Sequence, residues 1–128
     1  MSSTQIFNLW FLYRRVPDGW EVHCLELDLV TYGDTLEHAS EMGREAVSMI
    51  LVDDLVNGHN PLDRQAPDEI YEEMLGVVHG GERVDTGDPR LEREAALVVQ
   101  HHRVRVTLFD HTPQIEDEPG KQSFLKAA

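Results

Sequence analysis

The stretch Ile6-Phe-Asn-Leu-Trp-Phe-Leu-Tyr-Arg-Arg-Val-Pro-Asp-Gly-Trp-Glu-Val-His-Cys24 decides the fold. From Ile6 to Tyr13 the residues are β-branched, aromatic or leucine with only Asn8 interrupting, the composition of a buried strand. Val16-Pro-Asp-Gly19 then reverses the chain, because Pro17 presets one turn dihedral and Gly19 tolerates a positive φ. The return strand places Trp20, Val22 and Cys24 on one face and Glu21 and His23 on the other. At Leu25 the alternation slips to Leu25, Leu27 and Leu29, which predicts a bulge or strand break there. Val30 to Tyr32 forms a short third strand before Gly33.

Working outward, Asp34 or Thr35 caps a helix whose apolar stripe is Leu36, Ala39, Met42, Gly43, Ala46, Val47 and Ile50. Its opposite face carries Glu37, Glu41, Glu45, Asp53 and Asp54, and Asn57-Gly58 ends it. Pro67, Asp68 and Glu69 open a second helix with Ile70, Met74, Val77 and Val78 at helical spacing, and Gly80-Gly81 stops it. Glu82 to Arg90 reads as a surface loop. Ala95 to Val99 is apolar and of either type, while Arg103 to Phe109 alternates as a late strand.

The expected architecture is therefore α+β: a small, mostly antiparallel sheet in β-β-β-α order, then a helical insertion and a late strand, with helices on one face. It occupies residues 1–109 as a single domain with the insertion at about 55–100. Residues 110–128, with two prolines and no periodicity, read as a flexible acidic tail anchored through Phe124 and Leu125. Both faces of the first strand carry bulky apolar groups, so helices on one side alone leave the other wet, which points to a homo-oligomer.

Composition narrows the function. The chain has 128 residues, 41% apolar and 27% charged, with a formal net charge of −13. Residues 18–73 carry fifteen acids against Arg44 and Arg64. Such a surface repels a phosphate backbone, so nucleic acid is not the expected direct partner. No apolar stretch approaches the roughly 20 residues of a membrane span, and no basic residue precedes Ile6 to make a signal peptide. The single cysteine, Cys24, fits a reducing cytoplasm.

The segment Val16-Pro-Asp-Gly-Trp-Glu-Val-His-Cys-Leu-Glu-Leu-Asp-Leu-Val-Thr-Tyr-Gly-Asp-Thr-Leu-Glu-His-Ala39 resembles the N-terminal domain of the HicB family of antitoxins. The aspartate-glycine turn, the aromatic-opened second strand ending in cysteine, and the Gly-Asp-Thr step into a helix carry the resemblance, over about residues 6–55. It implies a β-β-β-α-β domain that sits over a small basic HicA-type ribonuclease, occludes it, and commonly forms dimers or higher assemblies. Asp28-Leu29 stands where the family often has Pro-Gly. The nineteen residues after Phe109 are too few for the DNA-binding module many members carry, and the insertion is extra. The insertion, roughly Leu55 to Gln100, points to a specialised or solitary relative.

Chemistry by spacing is sparse. His23 and Cys24 are adjacent in a strand and point to opposite faces, as do His101 and His102, so neither pair ligates one ion locally; His111 would have to join the latter for a surface metal site. Asp28, Glu45, Asp53 and Asp54 could gather round magnesium, but acids one helical turn apart are more often a solvated stripe. Arg14 and Arg15 read as ion-pair partners for a neighbouring chain's acids. No catalytic residue, metal or cofactor is expected. The candidate partner-binding residues are Glu37, Glu41, Glu45, Asp53 and Asp54 as rim contacts and Trp10, Trp20 and Tyr32 as apolar anchors, the alternative for the aromatics being core or dimer packing. Two functions lead, a binding module that docks and inhibits a small basic partner and a solitary homo-oligomeric scaffold; a third, a metal-dependent hydrolase, requires metal bound after purification.

Overall fold

The computed structural model describes residues 2–84, 88–110, 112–118 and 122–127. The elements run β1 (Ser2–Val16), β2 (Gly19–Cys24), β3 (Leu29–Gly33), α1 (Leu36–Val56), a 3-10 turn (Pro61–Arg64), α2 (Asp68–Gly80), β4 (Glu82–Val84), α3 (Arg90–Glu94), β5 (Ala95–Phe109), β6 (Thr112–Glu118) and β7 (Ser123–Ala127). The strands form one sheet in the order β3-β2-β1-β5-β7-β4, with β6 also paired to β5. Every pairing is antiparallel. This is the α+β class that the sequence predicts.

β1 and β5 form the spine, because each is long enough to pair across thirteen positions, from Ser2↔Phe109 to Arg14↔Leu97. The β1–β2 hairpin closes at Gly19, whose φ of 149° leaves the carbonyl of Gly33 only 2.3 Å from where a Cβ would stand. β2 ends at Cys24, the predicted break. Beyond it, Leu25 N–H still donates to the Trp10 carbonyl (3.1 Å), and the Trp10 N–H donates to Glu26 Oε1 (2.7 Å), so a side chain completes the ladder that the departing strand abandons.

The strand alternation sorts the core into two layers. Phe7, Leu9, Phe11 and Tyr13 of β1, with Trp20 and Val22 of β2 and Val98, Val104 and Val106 of β5, lie beneath Leu36, Ala39, Val47 and Leu51 of α1. Leu12 of β1 and Val99 of β5, with Trp10, Leu97 and Phe124 at their margin, meet Met74, Val77, Ile70 and Val78 of α2 on the other side. The expectation of helices on one face is therefore corrected: α1 and α2 cover opposite faces. A central strand apolar on both sides must be covered on both. The chain reaches the underside through the 3-10 turn, pinned where Ala66 N–H donates to the Leu25 carbonyl (2.8 Å). With both faces covered, no bare sheet face is left to require association.

The expected tail is corrected as well. β6 and β7 lie end to end along β5, pairing Arg103–Phe109 and Ala95–Gln100 respectively. Leu125 enters the upper core and Phe124 packs against the lower one, as anchors do, but within a strand. The domain thus extends from β1 to β7 instead of stopping at residue 109. Ala95 to Val99 resolves as the first half of β5, and Glu82–Val84 as a short strand where a loop was expected; residues 85–87 of that loop, 119–121 of the tail and His111 lie outside the described residues. Among the described residues no helix is long and apolar enough to cross a membrane.

Glu26 gives the fold a pH signature. Burial, the largest influence, raises its carboxyl above the usual range, against the opposing Trp10 N–H. The folded state then holds the proton more tightly than the unfolded one. The stabilisation is fully present below the ordinary glutamate value and is lost as pH rises through the raised one. Glu26→Gln keeps an oxygen for Trp10 and needs no proton. Denaturant titrations across pH 4 to 8 are expected to show the variant at least as stable as the parent at neutral pH, with a shallower decline above the glutamate range.

Candidate functional site

Helix α1 starts because Thr35 is a true cap: its Oγ1 accepts from the His38 N–H (3.0 Å), while Asp34 N–H donates to His38 Nδ1 (3.1 Å). It lies close on the sheet because Gly33 and Gly43 have no side chains in the way. A Cβ on Gly43 would touch the Phe11 ring at 3.0 Å. With Leu36, Ala39, Gly43, Val47 and Leu51 committed inward, the opposite stripe faces solvent at steps of three and four: Glu37, Glu41, Glu45, Met49, Asp53 and Val56.

Glu37, Glu41, Glu45 and Asp53 are exposed, and among the described residues none has an ion-pair partner. The helix's arginine, Arg44, turns sideways toward Asp117 on β6 (Nε to Oδ2 4.0 Å). Two large apolar side chains interrupt the acids, Met49 at 67% exposure and Val56 at 58%. They follow from the same spacing, since Met49 is one turn beyond Glu45, but the reading that ends at the charges misses them. At the start of α1 a cavity of about 310 Å³ continues the acidic surface between Asp18, Asp34 and Glu92, with Arg15 and Trp20 on its wall.

The other expected contacts separate. Asp54 is corrected from rim to interior. It is 1% exposed and holds Arg64 in a two-point pair, Nη2 to Oδ1 at 2.6 Å and Nε to Oδ2 at 3.1 Å, which ties the end of α1 to the 3-10 turn. The spacing already carried the signal, because Asp54 sits seven residues after Val47 and four after Ile50, on the apolar stripe. Asp54→Ala is expected to lower the thermal midpoint clearly, because it strips the buried partner from Arg64, while Asp53→Ala leaves it within error; paired melting curves decide.

Trp20 is likewise corrected to core, 3% exposed among the upper-layer residues with the Arg15 guanidinium 5.6 Å from its ring centre. Trp10 is half-buried on the lower face, tilted against His101 at 4.8 Å. Tyr32 alone among the three stands free, 60% exposed at the β3 edge, on the face away from α1. Arg14 and Arg15 are satisfied within the chain, Arg14 by Glu73 of α2 and by Glu21 (3.8 Å), Arg15 by the Glu92 carbonyl, instead of by a neighbour.

The groups with chemical potential are placed apart. Cys24 points into the upper core, and burial drives its thiol far above the ordinary value, so little thiolate forms. Its neighbour His23 points down and pairs through Nε2 with Asp28 Oδ1 at 2.7 Å. Thiol-reactive dyes are therefore expected to label native Cys24 far more slowly than the urea-unfolded chain. His101 and His102 lie mid-strand on opposite faces. His102, 1% exposed, packs on the Phe11 ring at 4.1 Å with Nδ1 3.4 Å from Asp117 Oδ1, a placement invisible while β6 reads as tail. Among the described residues no three His, Cys, Asp or Glu side chains converge as metal ligands. No family model, curated protein or solved structure matches the chain.

Proposed function

We propose that the protein is a HicB-like binding module, without catalysis, that docks a small basic protein of the HicA ribonuclease type through the outward face of α1. One observation carries the reading: a solvent-facing run of carboxylates with no ion-pair partner among the described residues, broken by exposed Met49 and Val56. Acids of one sign raise the encounter rate with a basic surface, and adaptable apolar side chains among them give the desolvated contact that holds it. The resemblance over residues 6–55 supplies the partner type. A buried single thiol fits a reducing compartment.

The test is a binding series against a small basic protein of that type, sought first in the neighbouring reading frame. Association is expected to slow steeply as salt rises, because screening shortens the reach of charge to about 8 Å at physiological ionic strength. Glu37→Gln, Glu41→Gln and Glu45→Gln combined should slow it at low salt, whereas Met49→Ala should speed dissociation. Unchanged kinetics in both variants overturn the proposal.

A second reading, the solitary homo-oligomeric scaffold, has one observation behind it. Ile6 and Phe109, 45% and 55% exposed, lie on the lower sheet face beyond the residues that α2 covers. A stable oligomer in light scattering, with no basic partner bound at any salt, favours that reading over the first.

A further inference from the structure

Free edges run along β3, β4, β6 and the first half of β1, which β2 does not reach, and those of β4 and β6 are defended. The outer strand β6 carries Pro113 and the exposed Glu116, and β4 is three residues long with Glu82 and Arg83. Proline, charge and brevity are how sheets prevent unwanted strand pairing. β3 has none of these. Leu29-Val-Thr-Tyr-Gly33 is uncharged, pairs with β2 without a bulge, and ends the strand order with no strand beyond it among the described residues. Every second residue of such a strand turns its backbone N–H and C=O outward. Val30 and Tyr32 stand beside that edge at 40% and 60% exposure.

We infer that the β3 edge is a strand-acceptor site, where an extended segment with basic ends adds antiparallel to Leu29–Gly33. The inference rests on the basic-partner reading above and names the geometry of docking. Charge selects the occupant. Asp28, with Oδ1 on His23 Nε2 and its side chain 44% exposed, immediately precedes the strand, and Asp34, with its side chain 91% exposed, immediately follows it. A second copy pairing antiparallel about Thr31 would set Asp28 opposite the other copy's Asp34 at both ends, and like charges directly opposed are unfavourable. A segment with Lys or Arg at its two ends meets an acid at each end and lays its middle side chains beside Val30 and Tyr32. α1, packed over β3 on the upper face, adds Glu37 and Glu41 to the same attraction. Main-chain bonds then supply affinity, while end charges and alternate side chains supply selectivity.

The experiment uses the full chain and two blocked peptides, Lys-Thr-Val-Thr-Val-Thr-Lys and the same sequence with Glu at both ends. Amide exchange and chemical shifts are followed by NMR, with sedimentation of the free chain alongside. The lysine peptide is expected to slow exchange at alternate amides of residues 29–33, the glutamate peptide to leave them unchanged, and Asp34→Lys to abolish the lysine peptide's effect. Salt-dependent shifts along α1 with unchanged β3 exchange would sink the strand-acceptor inference and leave the docking reading standing. No perturbation anywhere would overturn both. A free chain that sediments as a dimer with its β3 amides already protected would assign the edge to a second copy and overturn the inference.

Discussion

A chain carrying Leu12→Ala is expected to lose about 2–5 kcal/mol of unfolding free energy, the range for deleting a fully buried leucine side chain. Folded domains hold only about 5–15 kcal/mol in total, so the loss is a large part of the fold's stability. Leu12 is 0% exposed on the underside of β1, within the cluster that Met74 and Val77 of α2 close. Were that underside bare, the same change would be a surface substitution worth about 0.5 kcal/mol or less. Met74→Ala should cost a comparable amount. The double variant should fall short of the sum, since residues that share one cluster do not act independently. Urea titrations at constant slope measure all three, and a small effect at Leu12 would refute the two-sided core.

Local rules made much of this fold legible. Proline, aspartate and glycine at 17–19 foretold the hairpin, the apolar slip at Leu25 foretold the end of β2, and Thr35 and Asn57 bounded α1 at the observed caps. Each depends on residues within a few positions. What stayed hidden depends on distant ones. The apolar side of α2 is readable from Ile70, Met74 and Val77, but nothing in their spacing says which face of the sheet they will meet. β6 offers one buried-side aliphatic, Ile115, between Pro113 and Asp117, too little alternation to mark a strand until β5 lies beside it. The candidate surface divides in the same way. Glu37, Glu41 and Glu45 followed from helical spacing, whereas the edge at β3 exists only because β2 pairs on one side and no strand among the described residues pairs on the other.

The join between that edge and α1 gives the second large effect. Gly33→Ala is expected to cost at or above the roughly 3 kcal/mol top of the usual range for overpacking. A Cβ at Gly33 would stand 2.2 Å from the Ala39 nitrogen and 2.5 Å from its Cα, and both are backbone that cannot rotate aside. The first turns of α1 must lift from the sheet, which opens the contact between Ala39 and the upper core and tilts the acidic stripe away from β3. Gly76→Ala is the matching control. It lies within α2 with nothing inside 4 Å of the new methyl, so replacing a flexible residue with a helix former should stabilise by about 0.5–1 kcal/mol. Opposite signs at two glycines separate steric exclusion from backbone entropy. If Gly33→Ala folds normally yet no longer binds a basic partner, the close approach serves the docking surface; if it melts early and binds normally while folded, the approach serves only the core. Thermal melts and binding on the same preparation distinguish these outcomes, and a variant unchanged in both would show that α1 does not need to sit this near the sheet.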